Sequence, residues 1–595
     1  MDRTVDNHKL IDIVHKCSYK GFPLEGVYRR IQDRELFLIA YGNLYSNDGA
    51  TTPGVNPEDS ADGMSLKRID GMLEKLNQNN YQWTPVRREY IEKKSGGQRP
   101  LGITGWDDKL MQEVIRLVLE AYYEPQFSED SHGYRPSRGC HTALQDIKHG
   151  WTGTKWFIEG DIKGCFDHID HDTLLGILAR HIKDNRFLKL IRTMLKAGYI
   201  EDWKYHATYS GAPQGGVVSP ILSNILLNEL DQYVANELMP EYNRGDRRSN
   251  NEEYNRLWRD MRRAWRAGDR DGYKELKRQR SRLPRLDPED PDYRRLHYNR
   301  YADDFLYGFA GPKWEAEEIR ERTDEVLKTL KLDMSEEKTL ITHAATGKAR
   351  YLGYDSTVVT SKNRRKANYN IKFLVPPDVK TEWLRKYTKH GKPCVRARLL
   401  EMTDYEIVAY YASEFQGGVN YYTMTEDVSQ VFHHIKYVAV QSAVKTLASK
   451  HKTSARKIYR KYYRNSDQGR KALIVEVPNP KNPKKPFIAQ LGGRPIEHKR
   501  KVILKDQKWV PHYARNELIT RLLADTCELC GRHDNVQVHH VRKLADLKQR
   551  YKGRKKPPPW VEFMLARRRK TVVVCEQCHL DIHIGKYDGR KVNQG

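Results

Sequence analysis

The chain is 595 residues long, more than one hydrophobic core usually serves, so its length implies about three to five separately packed units. Lys and Arg number 105 against 78 Asp and Glu, a formal net charge of +27, which points to a polyanionic partner bound through phosphate neutralisation and counterion release. No stretch approaches the ~20 apolar residues of a bilayer-spanning helix and the opening MDRTVDNHKL lacks an apolar run, so membrane and secreted classes are excluded and a cytoplasmic, DNA-associated protein is expected.

Residues 1–150 mix elements. A strand is expected in VRREYIEKK, a turn at Ser95-Gly96-Gly97, and an amphipathic helix over Asp108 to Tyr123. Residues 151–360 read as a mixed α/β block in which the short strands KWFIEGDI and NRYADDFLYGF alternate with helices, interrupted by a charged insertion over 240–295 with a helical centre. Helical patterns with interleaved basic and aromatic residues, such as IYRKYYR, follow over 375–470. The run VPNPKNPKKPF reads as a linker, because repeated Pro disfavours both helix and central strand. A basic segment, 478–520, leads to a Cys/His-rich end, 521–595.

Two acid-bearing strands carry the main chemical signal. Asp303 and Asp304 sit between strand-forming residues in RLHYNRYADDFLYGF, as at the tip of a hairpin, where adjacent like charges are costly unless a cation neutralises them. In WFIEGDIKGCFDHIDH a second apolar strand delivers Asp161 at its end. Two such strands converging could hold two Mg²⁺ ions about 4 Å apart, one activating a 3′-hydroxyl and the other holding a triphosphate.

Four cysteines stand singly, whereas Cys527, Cys530, Cys575 and Cys578 form two CxxC pairs. This is the pattern of a structural Zn²⁺ in a reducing compartment, not of a disulfide framework. His579 and His583, four residues apart, share a helix face and with His539 could form a second, open metal site. The four cysteines alone would also serve a zinc ribbon that only grips DNA; the three additional histidines favour catalysis.

Asp161 with Phe166, then SGAPQGGVVSPILSNILLNELD, YADD, LDMSEEKTLIT and YLGYD, preceded by KKSGGQRPLGIT and SHGYRPSRGCHTAL, resemble the ordered motifs of group II intron reverse transcriptases over nearly the whole chain. The resemblance implies an α+β right-hand polymerase: N-terminal extension and fingers over 1–150, palm over 151–360, helical thumb or maturase domain over 375–470. It implies Mg²⁺ on Asp161, Asp303 and Asp304 with help from the Ile162 carbonyl. Phe166 would exclude a 2′-hydroxyl, Gln214 and Gly215 would position the nucleotide, Lys94 and Arg99 would reach its triphosphate, and Lys338 would protonate pyrophosphate.

The C-terminal end resembles the ββα-metal HNH nuclease. That likeness implies a divalent ion on His539, His579 and His583, with His540 as general base. Lys570 stands near the place of the family's middle Asn, so another group would have to orient that base. Partners implied are intron RNA, target DNA and dNTPs, with maturase-assisted splicing and target-primed reverse transcription as the activities. The rivals are an RNA-dependent RNA polymerase, against which Phe166 argues, a splicing factor on a decayed polymerase scaffold, and a defence-type reverse transcriptase.

Overall fold

A computed structural model describes residues 9–47, 49–92, 96–202, 204–208, 211, 215–287, 290–360, 369–479, 482, 484–502, 516–551, 554 and 556–587. Lys94 and Gln214, both expected at the nucleotide, lie outside these residues, as does Ser95 of the expected turn.

Helix α1 (Arg34–Leu44) starts where the Asp33 side chain accepts the Glu35 amide, supplying one of the donors a helix start leaves unpaired. A short strand, β1 (Met64–Ser65), follows. The expected strand in VRREYIEKK is β2 (Val86–Glu92), which forms a hairpin with β3 (Gln98–Ile103). The expected helix is α2 (Trp106–Tyr123). Its polar face is buried too, because N-terminal helices and the palm pack against it from different sides, and Arg116 answers that burial by pairing with Glu113 and Glu120.

Strand β4 (Trp156–Asp161) and helix α3 (Ser219–Tyr233) precede the charged insertion, which is a hairpin of two helices, α4 (Glu252–Arg266) and α5 (Arg270–Arg280). Only Leu257 and Met261 of these helices are buried. The YADD segment is the turn between β5 (Arg295–Tyr301) and β6 (Asp304–Ala310), and β7 (Ile341–His343) completes a sheet of order β5-β6-β4-β7. Antiparallel pairing sets Asp161 opposite Asp304, so the end of β4 meets the start of β6.

The next unit holds α6 (Asp404–Tyr421), opened by a Thr403/Glu406 capping box, α7 (Val428–Lys450) and α8 (Ala455–Tyr462), with β8 (Lys471–Val477) and β9 (Phe487–Gly492). Here the linker reading needs revision. The Pro/Lys-rich run is the loop of a hairpin, since β8 and β9 pair from Ala472↔Gly492 to Val477↔Phe487. Residues outside the ladder need donate no strand hydrogen bonds, so Pro478 and Pro486, flanking the paired strands, are tolerated there. Residues 487–492, which the sequence placed in a basic DNA-binding segment, belong to this sheet and pack on α6.

Helix α9 (Glu517–Leu523), β10 (Val536–His540), β11 (Thr571–Cys575) and α10 (Glu576–His583) form the C-terminal end. It is not a separate module: β1 adds to its sheet, giving the order β1-β10-β11. Leu518, Ile519, Leu522, Val536, Val538 and Val573 enter the same core as the N-terminal helices and palm. Seventy-odd residues bury too little apolar surface alone, and the fingers side supplies the remainder. No described helix is long and apolar enough to cross a membrane.

Candidate functional site

Arg300 fixes the acid-bearing turn. Its side chain is fully buried and its five N–H donors are all used: two to the Asp231 carboxylate (2.7 and 2.6 Å), one to Ser131 Oγ (2.9 Å), one to Asn224 Oδ1 (3.2 Å) and one to the Ala302 carbonyl (2.8 Å). Ala302 takes φ 58°, the left-handed conformation that lets Asp303 turn back toward β4. Gly133 packs on the same turn: a Cβ there would lie 2.2 Å from the Ala302 nitrogen, so no larger residue fits without moving backbone.

The acids crowd one another. Burial raises Asp304 to about 7, helped by a hydrogen bond with Asp161 and by the charge of Asp303. Burial raises Asp303 as well, with Asp161 adding repulsion and Lys338 and Arg99 opposing it. Lys338 Nζ lies 2.8 Å from Asp161 Oδ2. The Ile162 amide donates to the Asp303 carbonyl at 3.3 Å, leaving the Ile162 carbonyl unused by that contact. Phe166 is half-buried, its ring edge-on to Tyr134 at 6.3 Å. Gly215 has φ +103°, and a Cβ there would meet Leu101 Cδ1 at 2.8 Å and the Gly102 carbonyl at 2.9 Å, so Gly215 lies directly on strand β3.

At the C-terminal end, two clusters have ligand atoms all within 4.8 Å of one another. The first is Cys527, Cys530, Cys575 and Cys578. The Arg532 guanidinium, donating to Cys530 Sγ at 3.5 Å, lowers that thiol to about 6, whereas burial raises Cys578 to about 12. One thiolate is thus ready at neutral pH, and the four together fit tetrahedral zinc.

The second cluster joins His539, His579 and His583 to Asp62, a residue from the other end of the chain. The ring centroids of His539 lie 5.3 Å from those of His579 and 5.1 Å from those of His583. Burial lowers His539 from its ordinary value, keeping the imidazole neutral and fit to be a ligand. His540 points the other way. It is buried, its Nε2 lies 2.9 Å from the Tyr41 hydroxyl, and burial lowers it to about 4.

The reverse transcriptase (RNA-dependent DNA polymerase) family matches residues 91–356, the type II intron maturase family 368–486, and the AI2M/AI1M-like HNH endonuclease family 527–579. The group II intron-encoded protein LtrA of Lactococcus lactis subsp. cremoris is 38% identical over 581 residues, covering 93% of this chain and 94% of that one. The chain belongs to the group II intron-encoded proteins. A 91 kDa protein in the cob intron of Schizosaccharomyces pombe is 32% identical over 96% of this chain and 70% of its own, and protein YkfC of Escherichia coli 35% identical over 54% and 81%.

This intron-encoded protein therefore unites an RNA-directed DNA polymerase, a maturase that aids splicing and an endonuclease in one chain. It binds intron RNA and nucleic-acid substrates, and both enzymatic families are metal-dependent. The geometry brings together Asp161, Ile162, Asp303, Asp304 and Lys338, with exposed Arg99 near enough for its charge to act on Asp303; Phe166 lies against Tyr134, on which the charge of Asp303 also acts. Sequence reasoning missed Asp62 and Tyr41. Nothing in SADGMS or FLIAYGN marks either as reaching a histidine some 480 to 520 residues away. The Tyr41 hydroxyl is the side-chain group that meets His540 Nε2, while Lys570 contributes its carbonyl to the Val541 amide at 2.9 Å.

Proposed function

We propose that Asp161, Asp303 and Asp304, with the Ile162 carbonyl, hold Mg²⁺ in the palm and that this centre extends DNA on an RNA template. The register that seats Asp161 opposite Asp304 is the observation that carries the reading, because it concentrates negative charge that a divalent cation would relieve. When bound, magnesium would lower the pKa of the primer 3′-hydroxyl and neutralise the triphosphate. Lys338, on Asp161, stands where it can pass a proton to departing pyrophosphate. Phe166 lies under the incoming sugar and rejects a 2′-hydroxyl by volume. Arg99, with Lys94 and Gln214, grips the triphosphate and base from the fingers side.

Within the chain, residues 1–150 serve as extension and fingers, 151–360 as palm, 375–470 as thumb, and 521–595 as the nuclease; basic residues within 478–520 contact DNA. Zn²⁺ on the four cysteines braces the nuclease, whose His539, His579 and His583 hold a divalent ion and whose His540 activates water. The nick supplies the primer from which intron RNA is copied into target DNA.

The test is primer extension by purified protein with Mg²⁺ and dNTPs. Asp303→Ala is expected to lose extension while its circular dichroism spectrum stays unchanged. Extension retained in that variant would remove the palm acids from catalysis.

A further inference from the structure

The cluster around His539 holds more than an HNH centre needs. Asp62 lies in the loop before β1, and β1 pairs with β10 through Met64↔Val538 and Ser65↔Gln537, with the Gly63 amide donating to the Val538 carbonyl at 3.0 Å. This register delivers the Asp62 carboxylate among the three rings: Oδ1 is 3.2 Å from His539 Nδ1 and 3.1 Å from His579 Nε2, and Oδ2 is 2.7 Å from His583 Nε2. Oδ1 also accepts the His540 amide at 2.7 Å, so the strand backbone holds the carboxylate in place.

The rings converge on one point: His583 Nε2 lies 3.2 Å from His579 Nε2, and both nitrogens face the Asp62 carboxylate. His539 is fully buried; its Nδ1 faces the Asp62 carboxylate at 3.2 Å, and its Nε2 has no hydrogen-bond partner among the described residues. Buried polar atoms rarely go unsatisfied, and a cation among three neutral imidazoles and one carboxylate would employ the nitrogen facing the cluster. The side chains of Asp62, His579 and His583 are 14%, 13% and 19% exposed, so little of the cluster faces solvent.

We infer that Asp62 is the fourth ligand of the cation held by His539, His579 and His583, and that in this seat it closes the nuclease centre to DNA phosphate until the β1 segment withdraws. The inference rests on the nuclease reading given above. A set of three nitrogens and one oxygen suits zinc, whose tetrahedral shell four protein ligands fill, whereas hydrolytic sites keep a position open; in the larger shell of manganese Asp62 still takes a position that a phosphate oxygen could use. A second feature agrees independently: the same N-terminal region stops His540, whose Nε2 is engaged by the Tyr41 hydroxyl in a fully enclosed position. Both the cation and the base are thus covered by residues of the fingers side, and DNA cleavage requires that side to move off the ββα unit. Binding of RNA or DNA along the fingers is the event with the charge to drive such movement.

The experiment uses the full chain, zinc-loaded at its cysteines, in an Asp303→Ala/Asp304→Ala background that removes palm ions. Mn²⁺ binding is read from the loss of its free paramagnetic resonance signal, and nicking of supercoiled DNA is measured at saturating Mn²⁺ without RNA. Asp62→Asn keeps an acceptor for the His540 amide, so it spares the β1–β10 pairing that Asp62→Ala would endanger. It is expected to weaken Mn²⁺ binding at least about tenfold and to raise nicking by a similar factor, while His579→Ala loses both ion and nicking. Unchanged Mn²⁺ affinity in Asp62→Asn, with His579→Ala defective, would overturn the inference and leave the nuclease reading intact. Weaker binding accompanied by lost nicking would make Asp62 a working ligand and overturn the closure. A His579→Ala variant that matched its parent in both readouts would sink the nuclease reading, and the inference with it.

Discussion

Arg300→Met is the substitution whose consequences the palm geometry fixes most closely. It removes the five donors that tie Asp231, Ser131, Asn224 and the Ala302 carbonyl together, leaving the buried Asp231 carboxylate with the Tyr298 hydroxyl at 2.9 Å. Breaking a buried ion pair from one side costs about 3–5 kcal/mol, because the remaining charge is uncompensated. At about 1.4 kcal/mol per decade, amide hydrogens of α3, β5 and β6 are expected to exchange about two to four decades faster. Adding Asp231→Asn removes that charge while keeping an acceptor for Tyr298, and is expected to restore at least half of the lost protection. It does not restore primer extension, since the Ala302 carbonyl still lacks its anchor. Less than a tenfold change in exchange for Arg300→Met, or no recovery in the double variant, would refute the buried-charge argument.

Gly133→Ala places a Cβ 2.2 Å from the Ala302 nitrogen, and a displacement of the turn near 1 Å is expected to lower primer extension about 100-fold, read as single-turnover rate at saturating dNTP. Phe166→Val opens the space beneath the sugar, so the ratio of ribonucleotide to deoxynucleotide incorporation is expected to rise at least about tenfold, with competing rNTP and dNTP as the assay. Glu120 is raised to about 8 by burial, so its ionisation costs folded stability increasingly as pH climbs from its unfolded value, near 4.5, to about 8. That cost is absent at lower pH. Glu120→Gln is therefore expected to gain about 2 kcal/mol on the wild type between about pH 6 and pH 8, measured as the difference in denaturant midpoints at the two pH values; a pH-independent difference would contradict it.

The palm was legible because its chemistry is local. An acid at the end of an apolar strand and an acid pair in a tight turn are visible in short strings, and antiparallel pairing between β4 and β6 then places them together. The Cys quartet and the i, i+4 histidines were legible for the same reason. What escaped was everything fixed by distant packing. Asp62 matters only because β1 adds to β10, and a two-residue strand carries no periodicity to read. Tyr41 looks like any aromatic on the apolar face of α1, and only the shared core shows that this face meets His540. The Pro/Lys-rich run has the composition of a linker, and no local feature distinguishes that from a hairpin loop between two strands of the thumb.

The claim that three acids of the palm share a cation is tested most directly by replacing Mg²⁺ with Fe²⁺ and mapping where ascorbate and peroxide cut the chain. Cleavage beside residue 161 and beside residues 303–304 in the same molecules, both suppressed by excess Mg²⁺ and both lost in Asp304→Asn, is the expected result. Cutting confined to one of these segments, or undiminished in Asp304→Asn, would contradict a shared ion.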